Sequence, residues 1–291
     1  LLAMPLPAPL RLLGLPLMLP VLLWQPPRPP GGEFDLLAAD IGQGNAVIVR
    51  TATHTLVYDA GPRYGQDTDA GHRVLVPLLR QAGERIDMLV LSHRDADHTG
   101  GARAVLAMQP QASLLSSIEP QHELQAVRRA TRCENGQHWE WDGVRFEILH
   151  PLPADYGMGP KPNAISCVLR IGNGRATALL AGDIEQPQEA RLVADGAPLA
   201  ADLLLVPHHG SKTSSSEAFL DAVHPRIALA QAGYRNRFGH PAPAVAQRYA
   251  EHGIRLVPSA RCGAAAWRSA EAGAVGCERE RQARYWHHAP P

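Results

Sequence analysis

Short β-type runs alternating with stretches of helical spacing predict an α/β chain. The runs fall into two similar halves, each mixing strands with covering helices, which predicts a four-layer helix–sheet–sheet–helix (αββα) sandwich. With 291 residues, 45% of them hydrophobic, the chain is long enough to bury such a core. No repeat of short period appears along it.

The elements follow in order. Residues 34–38, 46–50 and 54–58 are aliphatic runs parted by Gly-, Asn- or Thr-rich turns, and they read as a meander of strands. Residues 73–81, 102–109 and 120–131 have helical spacing, and 86–91 reads as a buried strand. The second half gives strands at 144–149, 166–171 and 177–181, a helix at 185–195 and a strand at 202–206. A helix at 216–223, a strand at 226–230 and a helix at 242–252 complete it.

Ahead of this domain, assigned to residues 33–291, residues 1–24 are almost wholly apolar but interrupted by Arg11 and five prolines. The unbroken apolar part is shorter than the ~20 residues that cross a bilayer. It therefore reads as the remnant or end of a membrane segment, or as an interfacial stretch, in a fragment of a longer chain. Residues 25–32, Gln-Pro-Pro-Arg-Pro-Pro-Gly-Gly, read as an extended linker.

Acidic and basic residues balance at 28 each, so no global field concentrates a polyanion and local features would have to hold one. Cys133, Cys167, Cys262 and Cys277 form no CxxC pair, which argues against a zinc knuckle. Pairing of sequence neighbours, 133 with 167 and 262 with 277, and four buried free thiols both fit the spacing.

Chemistry concentrates in Leu91-Ser-His-Arg-Asp-Ala-Asp-His-Thr-Gly-Gly101, where His93, Asp95, Asp97 and His98 follow a strand and enter a helix. Each such side chain costs desolvation unless something binds it, and the H-x-D-x-D-H spacing fits a binuclear metal centre.

That cluster resembles the second motif of the metallo-β-lactamase fold, H-x-H-x-D-H, with Asp95 in place of the middle His. Asp59-Ala-Gly61, the strand ending at Asp183, and His208-His209-Gly210 resemble further motifs of the same fold. The combination with Asp40-Ile-Gly-Gln-Gly-Asn-Ala46, Pro207-His-His-Gly-Ser-Lys-Thr-Ser-Ser215 and Phe238-Gly-His-Pro241 is narrower. It is similar to the C-terminal domain of the ComEC/Rec2 family of DNA-uptake proteins, over about residues 34–260.

The resemblance implies that His93 and Asp95 hold one ion, and that Asp97, His98 and His208 hold another, with Asp183 between them. His209 competes with His208. The superfamily's third-motif His is missing at residues 163–166, so either water completes the first ion or His150 substitutes. Carboxylates replacing imidazoles make Mn²⁺ or Mg²⁺ plausible beside Zn²⁺. Asn45 stands where the family usually has Asp.

Around these, Asp97, Asp183, His240 and Lys212 are the expected catalytic groups. Ser211, Lys212, Ser214, His209, Arg235 and Arg237 are the expected substrate contacts, and Asp40, Gln43 and Asp59 the supports behind the ligands. Ser214-x-x-Glu217 reads as a capping box whose helix N-terminus would take a phosphate. Tyr234-Arg-Asn-Arg-Phe-Gly-His240 has the composition of a strand-stacking surface, or of a structural loop. His240 fits a phosphate-contacting or proton-donating role and a core hydrogen-bonding one equally. The terminal Trp286-His287-His288 reads as free tail.

The function implied is a two-metal nuclease domain that degrades the non-transported DNA strand outside the bacterial inner membrane. Its partners would be DNA, the membrane through the rest of the chain, the competence channel and DNA-receptor proteins. A metallo-β-lactamase-fold hydrolase of another ester, such as a phosphodiesterase or lactonase, and a catalytically silent DNA- or partner-binding module are the alternatives.

Overall fold

In the computed structural model, residues 3–23, 26–157, 159 and 161–285 are described. The expected boundary at residues 24–25 and the tail at 286–288 lie outside them. The apolar start forms α1 (Ala8–Leu12) and α2 (Gly14–Leu23), parted at Leu13, the latter with Pro20 inside it. Leu12, Leu13, Leu17, Leu22 and Leu23 are exposed there. No helix among the described residues is long and apolar enough to cross a membrane.

The Pro-rich approach is pinned rather than free. Arg28 donates to the carbonyls of Thr51 and His54 and to the Thr55 hydroxyl, at 3.0, 2.6 and 3.1 Å. It also pairs with the buried carboxylate of Glu84.

β1 (Asp35–Ala38), β2 (Val47–Arg50) and β3 (Thr55–Tyr58) form an antiparallel meander. β4 (Met88–Leu91), β5 (Ser113–Ser116) and β6 (Thr131–Arg132) add to it in parallel. A π-helical turn at Gly71–Leu75 leads into α3 (Val76–Gln81), while α4 (Ala96–Thr99) and α5 (Ala102–Met108) follow β4.

The second sheet opens with the antiparallel strands β7 (His138–Trp141), β8 (Val144–His150), β9 (Val168–Gly172) and β10 (Thr177–Leu180). β11 (Leu203–Leu205), β12 (Ile227–Ala230) and β13 (Arg255–Pro258) continue it in parallel, joined through α6 (Gln186–Ala194), α7 (Glu217–Val223) and α8 (Pro243–Glu251). β14 (Ala265–Arg268) and β15 (Val275–Cys277) then return to the first sheet, β14 pairing with β1. The sheet orders are β15-β14-β1-β2-β3-β4-β5-β6 and β13-β12-β11-β10-β9-β8-β7.

Side-chain alternation along the strands builds the four layers. Leu56 and Tyr58 of β3, Val90 of β4, Leu180 of β10 and Leu203 and Leu205 of β11 meet in one core between the sheets. The intervening Val57, Leu89 and Leu91 turn outward against Leu75, Leu79 and Val105 of the first helical layer. Leu179 and Leu204 pack against Leu192, Phe219 and Tyr249 of the second. Each of these central strands is thus buried on both faces, which is why it reads as a continuous apolar run.

The helix expected over residues 120–131 is corrected to one 3₁₀ turn, Glu123–Ala126. Leu124 joins the core of the first helical layer, and the chain then extends so that Thr131 and Arg132 pair with β5. Of the two readings of the cysteines, the structure has the neighbour disulfides, Cys133–Cys167 and Cys262–Cys277.

The capping box at Ser214 is also corrected. Ser214 is buried and its hydroxyl donates to the carbonyls of Pro207 and Ser211 at 2.8 and 3.1 Å. The N–H groups of Ser215 and Ser216, at the start of α7, are instead taken by the buried Glu189 carboxylate of α6, at 2.5 and 2.8 Å. The anion position expected for a phosphate at that helix terminus is therefore filled by the protein's own carboxylate.

Candidate metal centre

Strand ends and the loops after them supply the centre. β3 ends in Asp59, β4 leads through Ser92 to His93 and on into α4, β10 leads to Asp183, and β11 leads to His208-His209. Strands β3 and β4 are parallel, as are β10 and β11, so their C-terminal ends converge at one edge, where sites in such sheets form.

Three left-handed backbones aim the side chains: Asp59, His208 and His209 have φ of 59°, 49° and 55°. A non-Gly residue in that region costs of order 1–3 kcal/mol, and such strain gathers at functional sites. Gly44 is required by contact as well as by its φ of 130°, since a Cβ there would lie 2.2 Å from the Asp97 carbonyl oxygen.

His93, His98 and Asp183 are fully or nearly fully buried and offer ligand atoms within 4.8 Å of one another; Asp97, His98 and His209 form a second such group. His98 Nε2 is 3.3 Å from Asp183 Oδ1, and His209 Nε2 is 3.3 Å from Asp97 Oδ2 and 3.5 Å from Asp183 Oδ2. Asp95 reaches 3.6 Å from His93 Nε2.

The remote ring nitrogens are held. His98 Nδ1 donates to Asp59 Oδ2 at 2.8 Å, and His209 Nδ1 to the Gln231 carbonyl at 2.9 Å. His93 Nδ1 lies 3.0 Å from the Ser92 hydroxyl and 3.4 Å from that of Ser166. Asp59 in turn accepts from the Ser92 N–H and hydroxyl, at 2.7 and 2.9 Å.

With Nδ1 occupied, the Nε2 atoms of His93, His98 and His209 and Oδ1 of Asp183 are buried without a hydrogen-bond partner. Four such atoms in one place would carry a heavy desolvation cost, which a bound cation relieves. The donor set fits a divalent metal ion.

Electrostatics agrees. Burial opposes charge on Asp183 and Asp97, but neighbouring His98 and His209 hold Asp183 well below the usual carboxylate range and Asp97 at about 2. Burial likewise opposes a proton on His98, and the Asp183 and Asp59 carboxylates overcome it. A proton and a metal cation thus compete for one cluster.

The expected ligand His208 falls outside both groups. It is part-exposed, its Nδ1 lies 3.3 Å from Glu185 and its Nε2 3.8 Å from Asp183, while His209, expected to touch substrate, occupies the inward place. Consecutive left-handed residues send neighbouring rings in different directions, which spacing does not reveal. His150 does not join either: its Nδ1 bonds the Ser166 carbonyl at 2.8 Å and its Nε2 lies 3.7 Å from Asp155. At the missing third motif, the Ser166 hydroxyl instead accepts from the Asp183 N–H at 3.1 Å. Ser166 and Gln231 carry no motif signal, since a carbonyl or a lone serine has no diagnostic spacing, and Ser92 lies inside the motif without being a ligand type.

Asp40 is corrected as well: its carboxylate bonds Arg279 at 2.7 Å, tying the loop to the C-terminal segment rather than to the cluster. Gln43 accepts from the Gly233 N–H at 3.3 Å. With Arg63, Asp97, Arg237 and Phe238 it lines a cleft of about 470 Å³ at the cluster's mouth. Arg235 and Arg237 stack on Tyr234 and Phe238, and the Phe238 ring lies 5.6 Å from that of His240. The His240 ring is 5.9 Å from His208 and 6.5 Å from His209, with its Nδ1 buried and unbonded. Ser211 is mostly buried, and Lys212 is exposed.

Two stacked mixed sheets between helical layers, with His and Asp donors gathered at their strand ends, define a metal-dependent hydrolase architecture. A model of the metallo-beta-lactamase superfamily matches residues 39–233, and the chain belongs to that superfamily. The YhfI metallo-beta-lactamase fold protein of Bacillus subtilis shares the fold, with a TM-score of 0.53 and 13% identity over 81% of this chain and 99% of that one.

Within the superfamily the domain is of the ComEC/Rec2 type. It is 39% identical to competence protein ComA of Neisseria gonorrhoeae, over 83% of this chain and 33% of that protein. It is 33% identical to recombination protein 2 of Haemophilus influenzae, over 78% and 28%. The chain spans about a third of the length of these curated relatives.

Proposed function

We propose that this domain is a two-metal phosphodiesterase that hydrolyses DNA during uptake, removing the strand that is not transported. The observation that carries the reading is the set of buried, unbonded donor atoms, His93, His98 and His209 Nε2 and Asp183 Oδ1, beside a cleft lined by Arg63 and Arg237. His93 and Asp95 would hold one ion and Asp97, His98 and His209 the other, with Asp183 serving both. Two divalent ions, when bound, supply an activated water and neutralise charge on the attacked phosphate, so no side-chain nucleophile is required. The mixed set of three imidazoles and three carboxylates fits Mn²⁺ or Zn²⁺, with Mg²⁺ also compatible.

The protein's own groups do the rest. Asp59, Ser92 and Gln231 fix the imidazole tautomers, and Arg237, braced on Phe238, meets the strand at the cleft. His240, with a lowered pKa from burial and from neighbouring His209 and His208, stands near as a neutral group able to contact the leaving oxygen. The relatives' names support a role in competence. Two disulfides fit an oxidising compartment, hence the periplasmic face of the bacterial inner membrane. The exposed apolar helices α1 and α2 fit an approach from a membrane-embedded remainder, alongside the competence channel and DNA-receptor proteins.

The test is cleavage of single- and double-stranded DNA with Mn²⁺ by wild type and Asp97→Ala. Metal-dependent cleavage by wild type, lost in the variant, is expected. Turnover of only a small ester would favour another hydrolase, and fewer than one tightly bound ion per chain a silent binding module.

A further inference from the structure

A second and larger cleft, of about 790 Å³, lies on the other flank of the donor loop. Arg94 enters it from between His93 and Asp95, whereas Ala96 and Asp97 face the first cleft, so residues 94–97 form the ridge between the two. Its floor is the C-terminal end of β5: the Ser117 hydroxyl donates to the Ser92 carbonyl at 2.7 Å, and that of Ser116 to the Leu91 carbonyl at 3.0 Å. The cleft is thereby fastened to the backbone that presents His93.

Three arginines line it, Arg94, Arg129 and Arg132, against one carboxylate, Glu119. Arg94 is neutralised by pairing with Glu119 and Arg132 pairs with Glu134 outside the cleft. Arg132 is braced over the Tyr156 ring at 4.8 Å, and Tyr156 is anchored through its hydroxyl to the Cys133 carbonyl. Arg129 is exposed and makes no ion pair with the described residues. In a chain without net charge, the cleft thus holds one guanidinium, Arg129, unpaired among the described residues, beside two that are paired with carboxylates, and all three are forked groups that match phosphate oxygens.

We infer that this cleft binds the sugar-phosphate backbone of a single DNA strand beyond the scissile phosphate. The strand would run from the Arg237–Phe238 cleft over the donor ridge and along Arg94, Arg129 and Arg132. The inference rests on the nuclease reading for its substrate and adds the second half of the track, the part that lets the centre tell a polymer from a small ester.

The test is binding of a labelled oligothymidylate in chelator, by fluorescence anisotropy over a salt series, for wild type, Arg129→Ala and Arg129→Glu. Metal content of each variant, measured separately, reports that the fold is kept. A single-strand contact contributes a slope of ~0.7 in log affinity against log salt. Arg129→Ala should lose that much slope and bind about fivefold more weakly, and Arg129→Glu more weakly still. Unchanged affinity and slope in Arg129→Glu, with wild type binding, would overturn the cleft assignment alone. Wild type that binds no DNA in chelator would overturn the cleft assignment and leave the nuclease reading to the Mn²⁺-dependent cleavage assay, whereas binding without such cleavage would sink only the nuclease reading and leave the slopes to decide the cleft.

Discussion

Asp59→Asn should disable the centre while barely changing its shape. In the structure Asp59 Oδ1 accepts from the Ser92 N–H at 2.7 Å, and Oδ2 faces both the Ser92 hydroxyl at 2.9 Å and His98 Nδ1 at 2.8 Å. The backbone N–H can only donate, so the asparagine carbonyl must take the Oδ1 place and its NH₂ the Oδ2 place. His98 Nδ1 then has to accept, and its proton moves to Nε2, the atom turned toward Asp183 at 3.3 Å. A cation must displace that proton or break the new hydrogen bond before His98 can ligate. Loss of a partner behind a ligating histidine typically costs 10- to 100-fold in metal affinity, about 1.4 to 2.8 kcal/mol. Competition of Zn²⁺ or Mn²⁺ against a chelator reads the affinity, and ¹⁵N chemical shifts of the His98 ring read the tautomer. A variant with wild-type metal affinity, or with its Nδ1 proton still in place, would refute the reasoning.

His209→Ala should lower metal content and activity much more than His208→Ala, because only His209 turns a buried, anchored ring into the cluster; elemental analysis of the two variants separates them. Gly44→Ala places a methyl against the Asp97 carbonyl and should weaken metal binding without unfolding the sheets, measurable by the same chelator competition. Glu189→Ala leaves the Ser215 and Ser216 N–H groups without their acceptor and should cost roughly 2–4 kcal/mol in urea unfolding. Burial lowers His150 to about 4, so the folded state resists a proton that the unfolded chain accepts near 6.5. This contribution to stability is full above pH 6.5 and is lost as pH falls toward 4, about 3 kcal/mol in all; comparing His150→Gln with wild type across that range should show the slope vanish.

The strands of the two sheet centres were legible because each is buried on both faces and reads as a plain apolar run, as in Leu203–Leu205. Strands with exposed residues were not: β7 alternates exposed and half-buried positions, and β14 alternates with Arg268 and Ala266 outward. β14 also owes its place in the sheet to β1, more than two hundred residues away, which no local pattern encodes, and β15 enters only by pairing with β14. At the centre, the H-x-D-x-D-H run could be read because its donors are contiguous. Which of His208 and His209 turns inward depends on two left-handed backbones, and Glu189 at the start of α7 depends on how α6 and α7 pack.

Arg28 changes how the site meets whatever lies ahead of it in the chain. A proline-rich tether alone would let the domain sample a volume set by chain statistics. Held by the carbonyls of Thr51 and His54 and by Glu84, the tether instead leaves the domain at a fixed point beside β3. The effective concentration of the cleft for a polymer delivered from that direction is then set by the geometry of one guanidinium and its acceptors, not by linker length.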